Sequence, residues 1–252
     1  AMRILDFDTL NGDTCPGVVY NDTKDYKVFN QLAAPETKEH FELMHKFYEA
    51  GYIREDAATV EDYTADQKAG LMFAAVRSLK PGKDAEESNS MGQPYTQINL
   101  TNPVMSNRET TGSMQAISAT SKNPERALMF LEQFNTDPVL NNLINFGIEG
   151  DHYEVVKGNG DGSKIIKAGP NQTKYNPGLG WAFGNQFINY LMDNEDPEKW
   201  TKFKEFNDES TPTQTLGFAF DQTGVQSEVA QCTNVWNEYV PGLQVGSSDP
   251  AT

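Results

Sequence analysis

A chain of 252 residues with 37% hydrophobic and 22% charged side chains has the make-up of a globular protein, one large domain or two small ones, and not of a disordered one. Its formal net charge of −16 argues against nucleic acid and anionic lipid surfaces as partners. No uncharged run is apolar enough to cross a membrane: Tyr175 to Met192 is interrupted by Asn176, Pro177, Asn185, Gln186 and Asn189.

The first thirty residues form a β-rich or irregular lead-in, broken at Gly12, Pro16 and Gly17. Pro35 starts a helix whose Phe41, Met44, Phe47 and Tyr48 recur at helical spacing, and Gly51 ends it. Glu61 to Lys68 is a second short helical stretch. Leu71 to Val76 is an apolar run of strand length between Gly70 and the Lys80–Lys83 turn, which predicts a buried strand. Asp84 to Gln93 is polar and loop-like, and Tyr95 to Leu100 alternates as a strand does. Met114 to Ser118 is a further strand candidate.

Asn123-Pro124-Glu125 opens a helix with Leu128, Phe130, Leu131 and Phe134 as its buried face. Asp137-Pro138 opens the next, which ends at Phe146-Gly147. Tyr153–Val156 and Lys164–Lys167 form a hairpin around the glycine-rich turn 158–162. Three helices are expected after that, about Phe183–Met192, Pro197–Asn207 and Val225–Tyr239. Strands alternating with helices give an α/β class.

No GxGxxG, P-loop or GxSxG motif occurs. His40 and His45 are five apart, which is not zinc-pair spacing. Asn159 to Ser163 begins like a calcium loop, but Lys164 and Pro170 stand where glycine and glutamate are required. Cys15 and Cys232 belong to no Cys-x-x-Cys or Cys/His cluster, and their pairing stays open. No metal, cofactor or catalytic residue is therefore expected, although the acidic residues are numerous enough for a glycosidase pair that nothing singles out.

The segment from Gly178 to Phe187 carries Trp181, Phe183, Asn185 and Gln186 among three glycines. Flat apolar faces cover sugar C–H surfaces and planar amides bind hydroxyls. The same pattern fits a core Trp on an amphipathic helix, which the residues alone favour.

Ser118 to Leu131, with Ser121-Lys122-Asn123-Pro124-Glu125, resembles the strand-to-helix passage of family 1 extracellular solute-binding proteins of ABC transporters. Asn145-Phe-Gly-Ile-Glu-Gly150-Asp151-His152-Tyr153 resembles a signature of their LipO-type lipoproteins in Gram-positive bacteria. Tyr48–Ile53, Lys80–Glu86, Asn176–Trp181, Phe183–Phe187 and Lys202–Asn207 extend the likeness in order over almost the whole chain.

The resemblance implies a periplasmic-binding-protein-like fold of type II: two lobes joined by crossover strands, with the ligand in a cleft that closes by a hinge. It places residues 1–110 in the C-terminal lobe, 113–177 in the crossover and N-terminal lobe, and 178–252 in the helical return, with the N-terminal lobe incomplete. Ala1-Met2-Arg3 leading straight into Ile4-Leu5-Asp6-Phe7, and a tail stopping at Gly246 to Thr252, fit a fragment or processed form.

By the same resemblance Arg77, Ser78 and Lys80 face the ligand after the 71–76 strand, and Trp181 and Phe183, with Asn185 and Gln186, meet it at a helix start. Lys122 and Glu125 mark a helix start, and Glu149 and Tyr153 are structural markers. The function implied is the extracytoplasmic, oligosaccharide-binding component of an ABC importer, not an enzyme. It would be a monomer, presented to permease subunits and held at the cell surface by a lipid anchor outside this chain. The alternatives are a carboxylate-based glycosidase, a stand-alone carbohydrate-binding module and a peptide-binding receptor.

Overall fold

The computed structural model describes residues 5–21 and 25–252, so the expectation placed on Ala1-Met2-Arg3 and Ile4 lies outside the described residues. In chain order the elements are β1 (Phe7–Thr9), β2 (Gly17–Tyr20), β3 (Phe29–Asn30), α1 (Pro35–Glu49), α2 (Thr64–Lys68), α3 (Lys83–Met91), β4 (Val104–Met105), α4 (Asn107–Thr111), α5 (Pro124–Thr136), α6 (Pro138–Phe146), β5 (Tyr153–Gly158), β6 (Lys164–Ala168), β7 (Leu191–Met192), α7 (Lys199–Glu209), β8 (Thr211–Pro212) and α8 (Gln226–Val245). The mix is α/β, and no helix among the described residues is long and apolar enough to cross a membrane.

The chain divides into two compact units. One comprises Ala1–Ala69, Asn99–Thr110 and Ser210–Thr252; the other comprises Gly70–Ile98 and Thr111–Glu209. This grouping puts 70–98 and 178–209 with 111–177, whereas the resemblance drew its boundaries at 110 and 178.

In the first unit β1, β2 and β3 form an antiparallel sheet, with Phe7 opposite Tyr20 and Val18 opposite Phe29. The alternating faces bury Phe7 and Val18 against Ala34, and Phe7, Tyr20 and Phe29 stack or meet edge to face at 4.6–5.4 Å. Pro35 occupies the first turn of α1, where its missing N–H costs nothing. Phe41 on α1 and Val240 on α8 form a second cluster, closed by Leu32, Trp236 and Leu243. The ring of His45 meets the Gly246 carbonyl at 2.7 Å, tying α1 to the end of α8. β4 and β8 pair in parallel, and the Asn107 amide bonds the backbone at Thr215, Gly217 and Phe218.

In the second unit β5 and β6 form the expected hairpin, and β7 adds in parallel to β6. Tyr153, Ile166 and Tyr190 form its core, with Phe146 packed against them. The Asp137 carboxylate accepts from the N–H groups of Val139 and Leu140 and so caps α6.

Several expected elements do not form. Residues 71–76, 95–100 and 114–118 lie in no strand, and Leu71, Phe73, Val76, Ile98 and Met114 are exposed. An apolar run becomes a strand only where another strand supplies its ladder, and among the described residues none pairs with these stretches. The face predicted for α5 is not all buried: Phe134 is, but Leu128 and Phe130 are exposed.

Most of the polar stretch 84–93 is helical instead, in α3 (Lys83–Met91). Gly82 and Gly92 take φ of 76° and 70° at its two ends, the left-handed conformation that glycine adopts without strain. The helix expected over 183–192 is a 3-10 turn at Gln186–Ile188 followed by β7.

Candidate functional site

The loop from Leu179 to Tyr190 is shaped by hydrogen bonds to its backbone from side chains outside it. Three asparagines on α6, Asn141, Asn142 and Asn145, are buried. Buried amides are stable only when bonded, and each of these finds backbone. Asn141 Nδ2 donates to the Phe134 carbonyl at 3.0 Å and to that of Phe183 at 3.4 Å, and Asn145 Nδ2 also reaches Phe183 O at 3.3 Å. Asn142 Nδ2 donates to Ile188 O at 2.8 Å, while its Oδ1 accepts from the Tyr190 N–H at 2.7 Å.

The fit leaves no room at Gly184. Its φ is +71°, and a Cβ there would lie 2.7 Å from Asn141 Nδ2 and 2.8 Å from Phe134 O.

On this frame the side chains divide. Trp181 is 54% exposed, so its ring stands in solvent and is not the core Trp that the residues alone favoured. Phe183 is half-buried. Asn185 turns inward along the chain: its Oδ1 accepts from the Phe187 N–H at 3.0 Å and caps the 3-10 turn. Phe187 stacks on Phe203 at 5.4 Å beside Trp200, whose Nε1 donates to Asn189 O at 3.1 Å.

Gln186 joins the loop to the earlier segment. Lys80 Nζ donates to Gln186 Oε1 at 2.7 Å, lies 2.9 Å from Glu86 Oε1 and stands over the Phe203 ring at 5.4 Å. Lys199 Nζ reaches the same Glu86 oxygen at 2.9 Å and Glu195 Oε1 at 2.7 Å, with its side chain only 5% exposed.

Burial sets the ionisation of this group. It pushes Lys80 below the usual lysine range despite Glu86. It also opposes the charge on Glu86, yet the ammonium groups of Lys199 and Lys80 outweigh it and hold that carboxyl low. For Lys199 burial acts downward too, but Glu195 and Glu86 prevail and its pKa is raised.

Of the seven residues singled out in the sequence, Lys80 and Gln186 are therefore in direct contact, with Lys80 and Asn185 occupied in internal bonding. Trp181, Arg77 and Ser78 are exposed. Sequence reasoning missed Asn141, Asn142, Asn145 and Lys199. The available signal was three amides within five residues of an otherwise apolar helix, Pro138-Val-Leu-Asn-Asn-Leu-Ile-Asn-Phe146. Among the described residues no group of three or more His, Cys, Asp or Glu could hold a metal ion.

The first unit holds a separate cavity of about 410 Å³, lined in part by Asn11, Thr14, Phe220, Gln222 and Glu228, where Gln222 Nε2 donates to Asn11 Oδ1 at 3.1 Å.

A family model described as a domain of unknown function (DUF3502) matches residues 214–252. The chain is 30% identical over 251 residues to a carbohydrate ABC transporter substrate-binding protein of Streptococcus pneumoniae serotype 4, covering 98% of this chain and 49% of that protein. The crystal structure of the N-glycan transport solute binding protein NgtS from Streptococcus pneumoniae matches with a TM-score of 0.85 at 28% identity, over 98% of this chain and 54% of that one. NgtS in complex with Man1GlcNAc and with Man5GlcNAc gives TM-scores of 0.84 and 0.82, both at 27% identity. The chain spans about half the length of the relatives it matches. Over nearly all of its own length, the chain is thus related in sequence and fold to the substrate-binding proteins of carbohydrate ABC transporters, as the residues from Ser121 to Tyr153 led us to expect.

Proposed function

We propose that the chain is part of the extracytoplasmic substrate-binding component of an ABC importer and contributes to holding an oligosaccharide. The observation that carries this reading is the 30% identity to a carbohydrate substrate-binding protein, sustained over 98% of the chain. Trp181 supports it locally: an indole 54% exposed on a braced loop offers the flat apolar face that a pyranose ring covers.

In this reading Trp181 is the platform and Phe183 its neighbour, with Arg77 and Ser78 supplying polar contacts. Lys80, Asn185 and Gln186 act on the ligand by fixing the loop, because their side chains already bond within the unit. A glycan of mannose and N-acetylglucosamine is the first ligand to try, since NgtS forms complexes with two of them. The whole protein would be a monomer at the cell surface, lipid-anchored by a segment outside this chain, and would deliver its ligand to permease subunits.

Calorimetric titration with mannose–N-acetylglucosamine oligosaccharides and with unrelated peptides tests this reading. Heat with the glycans, and quenching or a shift of tryptophan fluorescence, are expected. Heat with peptides alone would overturn the sugar assignment, and steady release of reducing sugar would replace the transport reading with a hydrolase.

A further inference from the structure

Cys15 and Cys232 stand at opposite ends of the sequence, yet both line the 410 Å³ cavity of the first unit, between the turn 11–16 and α8. Their neighbours meet across it: Thr14 Oγ1 and Thr233 Oγ1, each one residue from a cysteine, are 3.5 Å apart. Neither cysteine is in a disulfide. We infer that Cys15 and Cys232 are a redox-active thiol pair that a small-molecule disulfide converts into an intramolecular bond fastening the 11–16 turn to α8.

The two thiols are held differently. The main chain at Cys15 is pinned on both sides: its N–H donates to Gly12 O at 3.2 Å and its carbonyl accepts from Gln31 Nε2 at 2.6 Å. Cys15 is partly buried, whereas Cys232 is exposed on the helix. An exposed thiol and a fixed, half-sheltered one lining the same cavity suit stepwise exchange. The contact of Thr14 with Thr233 brings the turn and α8 together one residue from each cysteine, and the bond inferred would require the two Cβ atoms to come to about 4 Å.

The exchange balances in two steps. The Cys232 thiolate attacks one sulfur of R–S–S–R, forming a mixed disulfide and releasing RS⁻. The Cys15 thiolate then attacks Cys232 Sγ and expels the second RS⁻. The two protons lost by the cysteines end on the two released thiols, so the protein is oxidised by two electrons and the small disulfide is reduced.

Purified protein incubated with excess oxidised glutathione at about pH 8, where thiolates form, then acid-quenched, is read by intact mass and by a non-reducing peptide map. The expected product has lost two hydrogen masses, carries a Cys15–Cys232 cross-linked peptide, and melts about 5 °C or more higher until a dithiol reductant is added. Cys232→Ser, a change at an exposed position, should take one glutathione on Cys15 and show no such rise. Two glutathione adducts on the unsubstituted protein, an unchanged mass, or a disulfide-linked dimer would each overturn the inference, and none of these depends on the variant.

Discussion

The ammonium of Lys80 donates to the side-chain carbonyl of Gln186 at 2.7 Å, joining two stretches 106 residues apart in the chain. The same ammonium leans on Glu86, which Lys199 also contacts, so one shared carboxylate adds to the hold that the α6 asparagines have on the 181–187 loop.

Glu86→Gln removes the charge that two largely desolvated ammonium groups share. Lys199 keeps Glu195, but Lys80 is left without its charged partner, and a loss of about 3 kcal/mol in urea unfolding is expected. A loss within experimental error would show that water reaches both lysines.

The same residue sets an acid limb. The Glu86 carboxyl is held below its ordinary 4.5, chiefly by Lys199 and Lys80 acting against burial. A carboxyl lowered by folding contributes its stability above the unfolded value and loses it as pH falls through the folded one. The melting temperature of the unsubstituted protein should therefore drop below pH 4.5 more steeply than that of Glu86→Gln. Parallel acid limbs would remove Glu86 from the account.

Two glycines separate strain from clash. Gly184→Ala must take φ of +71° and meet Asn141 and Phe134 at under 3 Å, so about 2–4 kcal/mol is expected to be lost. Gly178→Ala has φ of +62° but open space, and about 1 kcal/mol should be lost. Equal losses by chemical denaturation would mean that the asparagine frame yields easily.

Asn142→Ala strands the Ile188 carbonyl and the Tyr190 N–H in a buried setting. About 2–4 kcal/mol should be lost, with faster amide hydrogen exchange at Tyr190. Unchanged exchange at Tyr190 would show that the amide is not its principal partner.

Trp181→Ala divides the two readings of that residue. As a sugar platform it should weaken glycan binding by about 1–3 kcal/mol in calorimetry and change stability by under about 0.5 kcal/mol. Unaltered affinity with a lower melting temperature would return the indole to a packing role.

What the sequence disclosed depended on whether the cause was local. Pro35, Pro124 and Asp137-Pro138 announce α1, α5 and α6 because a helix start is written in one turn of chain. The hairpin at 153–168 was equally plain, with its apolar alternation broken by a glycine-rich turn. α3 escaped because Lys83-Asp-Ala-Glu-Glu-Ser-Asn-Ser-Met91 has no apolar stripe; it is supported instead by Lys83 bonds to Glu86 and Glu87 and by glycines at its ends. Residues 71–76 misled for the opposite reason, since their composition suits a strand and a strand is a property of pairs.

At Trp181 residue type left two readings open, a core indole or a sugar platform, and its 54% exposure speaks against the first. The grip of Asn141, Asn142 and Asn145 on the loop was not legible, because the loop carbonyls that they hold lie some forty residues further on.

Those three amides grip main chain and never the side chains that the loop displays. The shape of the loop and the side chains it displays are therefore set by different residues. Under the proposed function, drift at position 181 or 183 would retune the surface without reopening the fold, while a single change at Asn142 or Gly184 would alter the mould itself.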